Sequence, residues 1–184
     1  APARSSALRA FHFMVGDTTT PLRVAVTLGT ASPEVDPVLD QSVDFTFSGT
    51  AGQKISTTAE TFVFEDDSAS VVFLRPNGTP LGPARTITAS RPFLDPVRLD
   101  ATGEWTVRLS SFCPRLSGCA VRLKLTDVPD VTGLLLVEKT KLPFTIALPG
   151  QVGRFTFKRS AGLTFRVHFT GSTFSGAAVS VMSP

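Results

Sequence analysis

The sequence has no tyrosine, one tryptophan, two histidines and two cysteines in 184 residues. Each scarcity removes a class of chemistry. His12 and His168 do not lie at ligand spacing from Cys113 and Cys119, so a zinc site would lack its donors. The same separation disfavours a cysteine nucleophile with a histidine base. One Trp and no Tyr leave little for a sugar-stacking face. No run reaches the ~18 apolar residues of a membrane span. Leu134-Leu135-Leu136-Val137 stops at Glu138 and Lys139, so no membrane insertion is expected. No phosphate-cradling glycine loop, nucleophile elbow or dinucleotide fingerprint occurs, and no cofactor is expected. Basic residues exceed acidic ones by 18 to 15, but they are dispersed. The longest basic cluster is Lys158-Arg159, which does not make a nucleic-acid surface.

What is abundant is phenylalanine, valine, threonine, glycine and proline. β-Branched and aromatic side chains fit a half-buried pleated surface. Gly and Pro scattered along the chain punctuate short elements. Apolar and polar residues alternate in Leu22–Leu28, Phe45–Phe47, Trp105–Leu109, Val121–Leu125, Phe155–Phe157 and Phe165–Phe169. Period-two alternation puts one face in a core and the other in water, as in antiparallel sheets. Ser48-Gly49-Thr50-Ala51-Gly52, Arg75-Pro76-Asn77-Gly78 and Ala101-Thr102-Gly103-Glu104 read as turns. The fold expected is therefore all-β, an antiparallel sandwich of jelly-roll type. Its expected core is Phe45, Phe47, Ile55, Val71, Phe73, Trp105, Val107, Leu123, Phe155, Phe157, Phe165 and Val167.

The sequence also repeats itself. Gln41-Ser42-Val43-Asp44-Phe45-Thr46-Phe47 returns in outline as Gln151-Val152-Gly153-Arg154-Phe155-Thr156-Phe157, and Ala51-Gly52 as Ala161-Gly162. The series Ala69 to Pro76 matches Ala177 to Pro184. One complete unit is expected over 31–130, with the opening half of a second over 131–184, joined through Asp127-Val128-Pro129-Asp130. Residues 1–30 are expected to be an N-terminal segment that closes a preceding unit as a hairpin. Ala1-Pro2-Ala3 would suit a mature terminus after signal removal.

Three stretches carry a resemblance: Phe45 to Gln53, Phe73 to Thr79, and Leu99 to Val107, with Asp127 to Gly133 resembling a spacer between copies. Together they resemble the pre-peptidase C-terminal-like sandwich repeats of bacterial extracellular proteins. Trp105 stands where that family usually has Tyr, which keeps a buried aromatic. The resemblance implies an exported antiparallel sandwich of about eight strands, extracellular or at the cell surface. It implies a role as spacer or accessory binding domain and brings no catalytic residues.

Cys113 and Cys119 flank a five-residue spacer, which permits a hairpin-closing disulfide. Glu65-Asp66-Asp67 is the acidic cluster that could contribute to a calcium site, although a polar loop that keeps a turn soluble is the favoured reading. Asp95 and Asp100 read as surface charge rather than a glycosidase pair. Asn77-Gly78-Thr79 fits a glycosylation acceptor, but the turn needed there explains it. Three functions follow: a non-catalytic spacer beside neighbouring domains, a surface fibre subunit that identical subunits complete head-to-tail, and a module that binds polysaccharide. An enzyme is not expected.

Overall fold

A computed structural model describes residues 20–38, 40–111, 113, 118–135, 142–160, 162, 164, 166–168, 170–171, 173 and 178–182. Among these the chain forms ten strands and no helix. They are β1 (Leu22–Ala25), β2 (Val43–Gly49), β3 (Lys54–Val63), β4 (Ser68–Leu74), β5 (Arg85–Thr88), β6 (Phe93–Arg98), β7 (Gly103–Ser110), β8 (Ala120–Asp127), β9 (Val131–Leu134) and β10 (Gly153–Thr156). One sheet runs β1-β2-β7-β4-β5 and a second runs β6-β3-β8. A separate two-stranded sheet pairs β9 with β10.

The two larger sheets face each other as a sandwich. Val43, Phe45 and Phe47 of β2 bury alternate side chains with Trp105, Val107 and Leu109 of β7. Ile55 of β3 and Val121, Leu123 and Leu125 of β8 meet them from the other sheet in one continuous cluster. Val71 and Phe73 of β4 join it, and Trp105 is fully buried. Its indole N–H donates to the Ala101 carbonyl at 3.1 Å, so the large ring brings no unpaired polar atom into the core. On the outer face, Asp44 accepts two hydrogen bonds from Arg108 directly opposite, at 2.7 and 2.8 Å.

Several expectations are corrected. β1 does not close a preceding hairpin, and the boundary near residue 30 falls inside the sandwich. β1 pairs in parallel with β2, from Leu22↔Val43 to Ala25↔Thr46. Parallel neighbours need a crossover. Here the link visits the opposite sheet, where Gly29, Ser32 and Val35 donate to the carbonyls of Leu125, Leu123 and Val121. That link covers the outer edge of β8. Nor do the cysteines close a hairpin, because β7 and β8, which they join, lie in opposite sheets. The Cys113–Cys119 disulfide, with Cα atoms 6.3 Å apart, therefore closes an arch between sheets.

The C-terminal part departs further from the expected core. Phe155 and Phe157 are half-buried rather than enclosed. Val167, expected inside, is 42% exposed, and among the described residues no strand encloses it. Residues 166–168 form no strand, and Phe165 lies outside the described residues.

Trp105→Ala should cost about 3–5 kcal/mol in urea denaturation, because the cavity it leaves is walled by both sheets. Replacing both cysteines by alanine should cost about 2 kcal/mol, the loop-entropy value for so short a closure. A shift under half that size in the same titration would mean that the arch is already held by its hydrogen bonds.

Candidate functional site

The connector between the sandwich and β9 is bound along its length rather than hanging free. Val128 is fully buried, and its N–H donates to the Lys54 carbonyl at 2.7 Å. Gln53 Nε2 donates to Asp127 Oδ2 at 2.8 Å. Asp130 then sits between two cations. Lys54 Nζ donates to Oδ1 from β3, and Arg154 Nε donates to Oδ2 at 2.7 Å from β10. The hydrogen bond from Lys54, helped by that from Arg154, holds the Asp130 carboxyl below the usual carboxylate range against the opposing effect of desolvation. Gly150 packs against Pro96 and Phe93 of β6 with φ +77°, where a Cβ would collide with the proline ring.

The β9·β10 pair repeats the β1·β2 pair in hydrogen-bonding detail. Leu22 N donates to Ser42 O, and Val131 N to Val152 O. Val26 N donates to Thr46 O, and Leu135 N to Thr156 O. Gln41 Nε2 reaches back to the Thr20 carbonyl at 2.9 Å, and Gln151 Nε2 reaches back to the Pro129 carbonyl at 2.8 Å. The residue before each glutamine is left-handed, Asp40 at φ 63° and Gly150 at φ 77°. Gly52 and Gly162 are left-handed as well, at 91° and 80°.

The residues singled out by sequence are dispersed. Glu65, Asp66 and Asp67 are exposed on the β3–β4 turn. Among the described residues, no three His, Cys, Asp or Glu side chains converge to hold a metal ion, so the calcium suggestion gains no geometry. Asp100 is engaged by Arg75, whose Nε lies 3.0 and 2.9 Å from its two oxygens. Asn77 Oδ1 accepts from Thr79 N at 3.0 Å, as the turn reading requires. Both cysteines are in the disulfide and His168 is exposed, which leaves no thiol–imidazole pair among the described residues. A surface depression of ~410 Å³ lies over the outer face of the larger sheet, lined by Arg23, Asp44, Arg75, Glu104 and Arg108 among others. Its charges are largely committed to one another: Asp44 to Arg108, and Arg23 to Glu104 at 3.6 Å.

The clamp residues Lys54, Asp130 and Arg154 were not foreseen. One signal was available: where the sequence echoes itself, the place of acidic Asp44 is taken by basic Arg154.

No protein-family model matches the sequence, and no curated protein matches it. Among solved structures, Aeromonas hydrophila PliG, a periplasmic lysozyme inhibitor of g-type lysozyme, aligns with TM-score 0.42 and 14% identity over 58% of this chain and 96% of its own. Salmonella Typhimurium PliG aligns with TM-score 0.37 and 15% identity over 57% and 99%. The pre-peptidase C-terminal domain of collagenase from Bacillus anthracis aligns with TM-score 0.41 and 8% identity over 58% and 97%.

Partly exposed ion pairs are each worth about 1 kcal/mol or less, so the clamp orients β9·β10 without carrying the stability of the sandwich. Asp130→Asn should leave the denaturation midpoint nearly unchanged. It should speed amide exchange at Val128 and Val131 by about fivefold, the equivalent of ~1 kcal/mol of local opening. The acid response follows from the lowered folded pKa. The carboxylate's contribution is complete above its unfolded value of about 3.9 and fades as pH falls through the lower folded one. After correction for intrinsic rates, exchange at these amides should rise across that window in the wild type and stay flat in Asp130→Asn.

Proposed function

We propose that the chain is a non-catalytic structural module of an exported protein, in which a sandwich unit recurs after about 110 residues and successive units are held at a fixed angle. The observation that carries this reading is the bound connector. A flexible tether would be rich in exposed Gly and Ser, whereas Asp127 is fastened to Gln53 just before β3, and Val128 and Asp130 to Lys54 of β3. The repeated hydrogen bonds of β1·β2 and β9·β10 support the recurrence. On this reading the first unit starts near residue 20 and the second near residue 129. The disulfide suits an oxidising compartment outside the cytoplasm. The polysaccharide reading loses its best residue, since Trp105 is buried and offers no ring to a sugar.

Self-assembly stays as a second reading for one reason: among the described residues β10 is paired on one side only, with β9. Nitrogen-15 relaxation on the whole chain tests the first reading. Residues of β2, β7 and β10 should share one rotational correlation time. Separate tumbling of β9·β10 would end the rigid-spacer reading. Light scattering over a wide concentration range tests the second, which requires a mass that grows with concentration.

A further inference from the structure

In the exposed turn after β4, Asn77 is followed by Gly78, and an asparagine side chain in that pairing is open to attack by its own backbone. The Gly78 nitrogen loses its proton to solvent base and bonds to Asn77 Cγ. The Cγ–Nδ2 bond breaks, and the amide nitrogen takes a proton and leaves as ammonia. Water then opens the succinimide ring at either carbonyl. The products are aspartate and an isoaspartate whose backbone runs through the side chain. Glycine favours the attack because it has no Cβ to hinder the nitrogen.

The folded turn opposes this reaction. Gly78 N donates to the Arg75 carbonyl at 2.8 Å, which closes a four-residue turn. Asn77 has no positive φ, so the turn is type I and ψ of Asn77 is about 0°. Ring closure requires the Asn77 Cα–C bond to rotate until Gly78 N eclipses Cβ, and that rotation breaks the turn. Asn77 Oδ1 is pinned as well, by the Thr79 N–H at 3.0 Å and the Thr79 hydroxyl at 2.7 Å. Arg75 Nη1 donates to Thr79 Oγ1 at 3.3 Å and to the Pro80 carbonyl, while its Nε lies 3.0 and 2.9 Å from the two oxygens of Asp100. Pro76 packs on Gly103, where a Cβ would come within 2.8 Å of the proline ring. Two donors on Oδ1 also resemble an oxyanion hole, which would speed the attack. They act so only if Gly78 N can reach Cγ, and the turn prevents that.

We propose that Asn77 is a site of spontaneous deamidation that the folded turn keeps closed, with Thr79 and the Arg75–Asp100 pair as positioning residues. The proposal stands apart from the modular reading above. Arg75 N donates to the Thr79 carbonyl at 2.8 Å across this turn. An isoaspartate at 77 adds a backbone carbon between those two residues and misplaces that bond, so the turn does not close again over the product.

Peptide mapping by mass spectrometry tests it on the full 184-residue chain, aged in warm, mildly alkaline buffer with and without denaturing urea. Aspartate and isoaspartate at position 77 are counted over time. The folded chain should convert about tenfold more slowly than the unfolded one, or slower still. Thr79→Val and Asp100→Asn should each speed conversion in the folded chain about threefold, measured against the same variant in urea. Unchanged β2 and β7 chemical shifts would show that the sandwich is intact in each variant. Equal rates with and without urea overturn the proposal, as does an absence of conversion in urea. So does slower conversion in folded Thr79→Val, which would make the hydroxyl an oxyanion donor and the turn a catalyst. Rates in both folded variants equal to the wild type would remove Thr79 and the Arg75–Asp100 pair from the role assigned to them.

Discussion

One face of β2, β4 and β7 must be buried against β3 and β8, and most of the first 128 residues follows from that. Each fully buried Val, Leu, Ile or Phe is worth roughly 1.5–3 kcal/mol relative to exposure. The inward positions of β2 and β7 supply six such side chains in direct register, counting Trp105. The neighbours adapt to that packing. Gly49 ends β2 as glycine because a Cβ there would run into Leu99 and the Trp105 ring. Residues 29–35 cross to β8 because a parallel β1 cannot reach β2 by a tight turn. The Asp44–Arg108 pair closes the outer face over the same strands. The hydrogen bonds that Arg108 donates to Asp44 push its guanidinium further above its already high value and keep it charged.

The junction uses weaker forces for a different end. The pairs around Asp130 are too exposed to hold a domain together, but they act at three points of known geometry. Lys54 reports the position of β3, Arg154 that of β10, and the Val128 amide that of the backbone between them. Gly150 adds a steric stop against Pro96. Polar contacts that cost little when broken, backed by a close packed contact, fix orientation without trapping the chain during folding.

The amount legible from sequence depends on how local the cause is. Period-two alternation is local, and Phe45, Phe47, Val71, Phe73, Trp105, Val107 and Leu123 are all buried. The turns at Thr50–Gly52 and Asn77–Gly78 are equally local, since they need φ above zero at Gly52 and Gly78. What alternation cannot reveal is which strand an edge pairs with. Leu22–Leu28 reads the same whether it closes a hairpin or joins β2 in parallel. The choice is made by the residue 29–35 segment finding β8, a contact nearly a hundred residues distant. The arch at the disulfide was missed for the same reason, because five residues between cysteines suit a hairpin or an arch equally well. In residues 155–169 the sequence still alternates, but burial needs a facing sheet, and among the described residues none encloses Val167.

That last difference bears on the residues around Phe155. In the sandwich Val24 and Val43 flank Phe45 and help to fill a core that a facing sheet completes. β9 and β10, which pair in parallel as β1 and β2 do, have Gly133 and Gly153 at the corresponding places, and the Phe155 ring lies close to both. A Cβ on either glycine would come within 2.9 Å of that ring, and Phe144 stacks on it at a centroid distance of 4.8 Å. With two side chains removed, the phenylalanine can fold down onto its own sheet and shield itself. Such self-covering limits the exposed apolar area of a strand whose face is only partly enclosed. Glycine at both places lets the ring be covered from its own sheet, and Arg154 is turned to the Asp130 carboxylate instead of to a cross-strand partner, so β10 is held to the connector by its charge and shielded by its own neighbours.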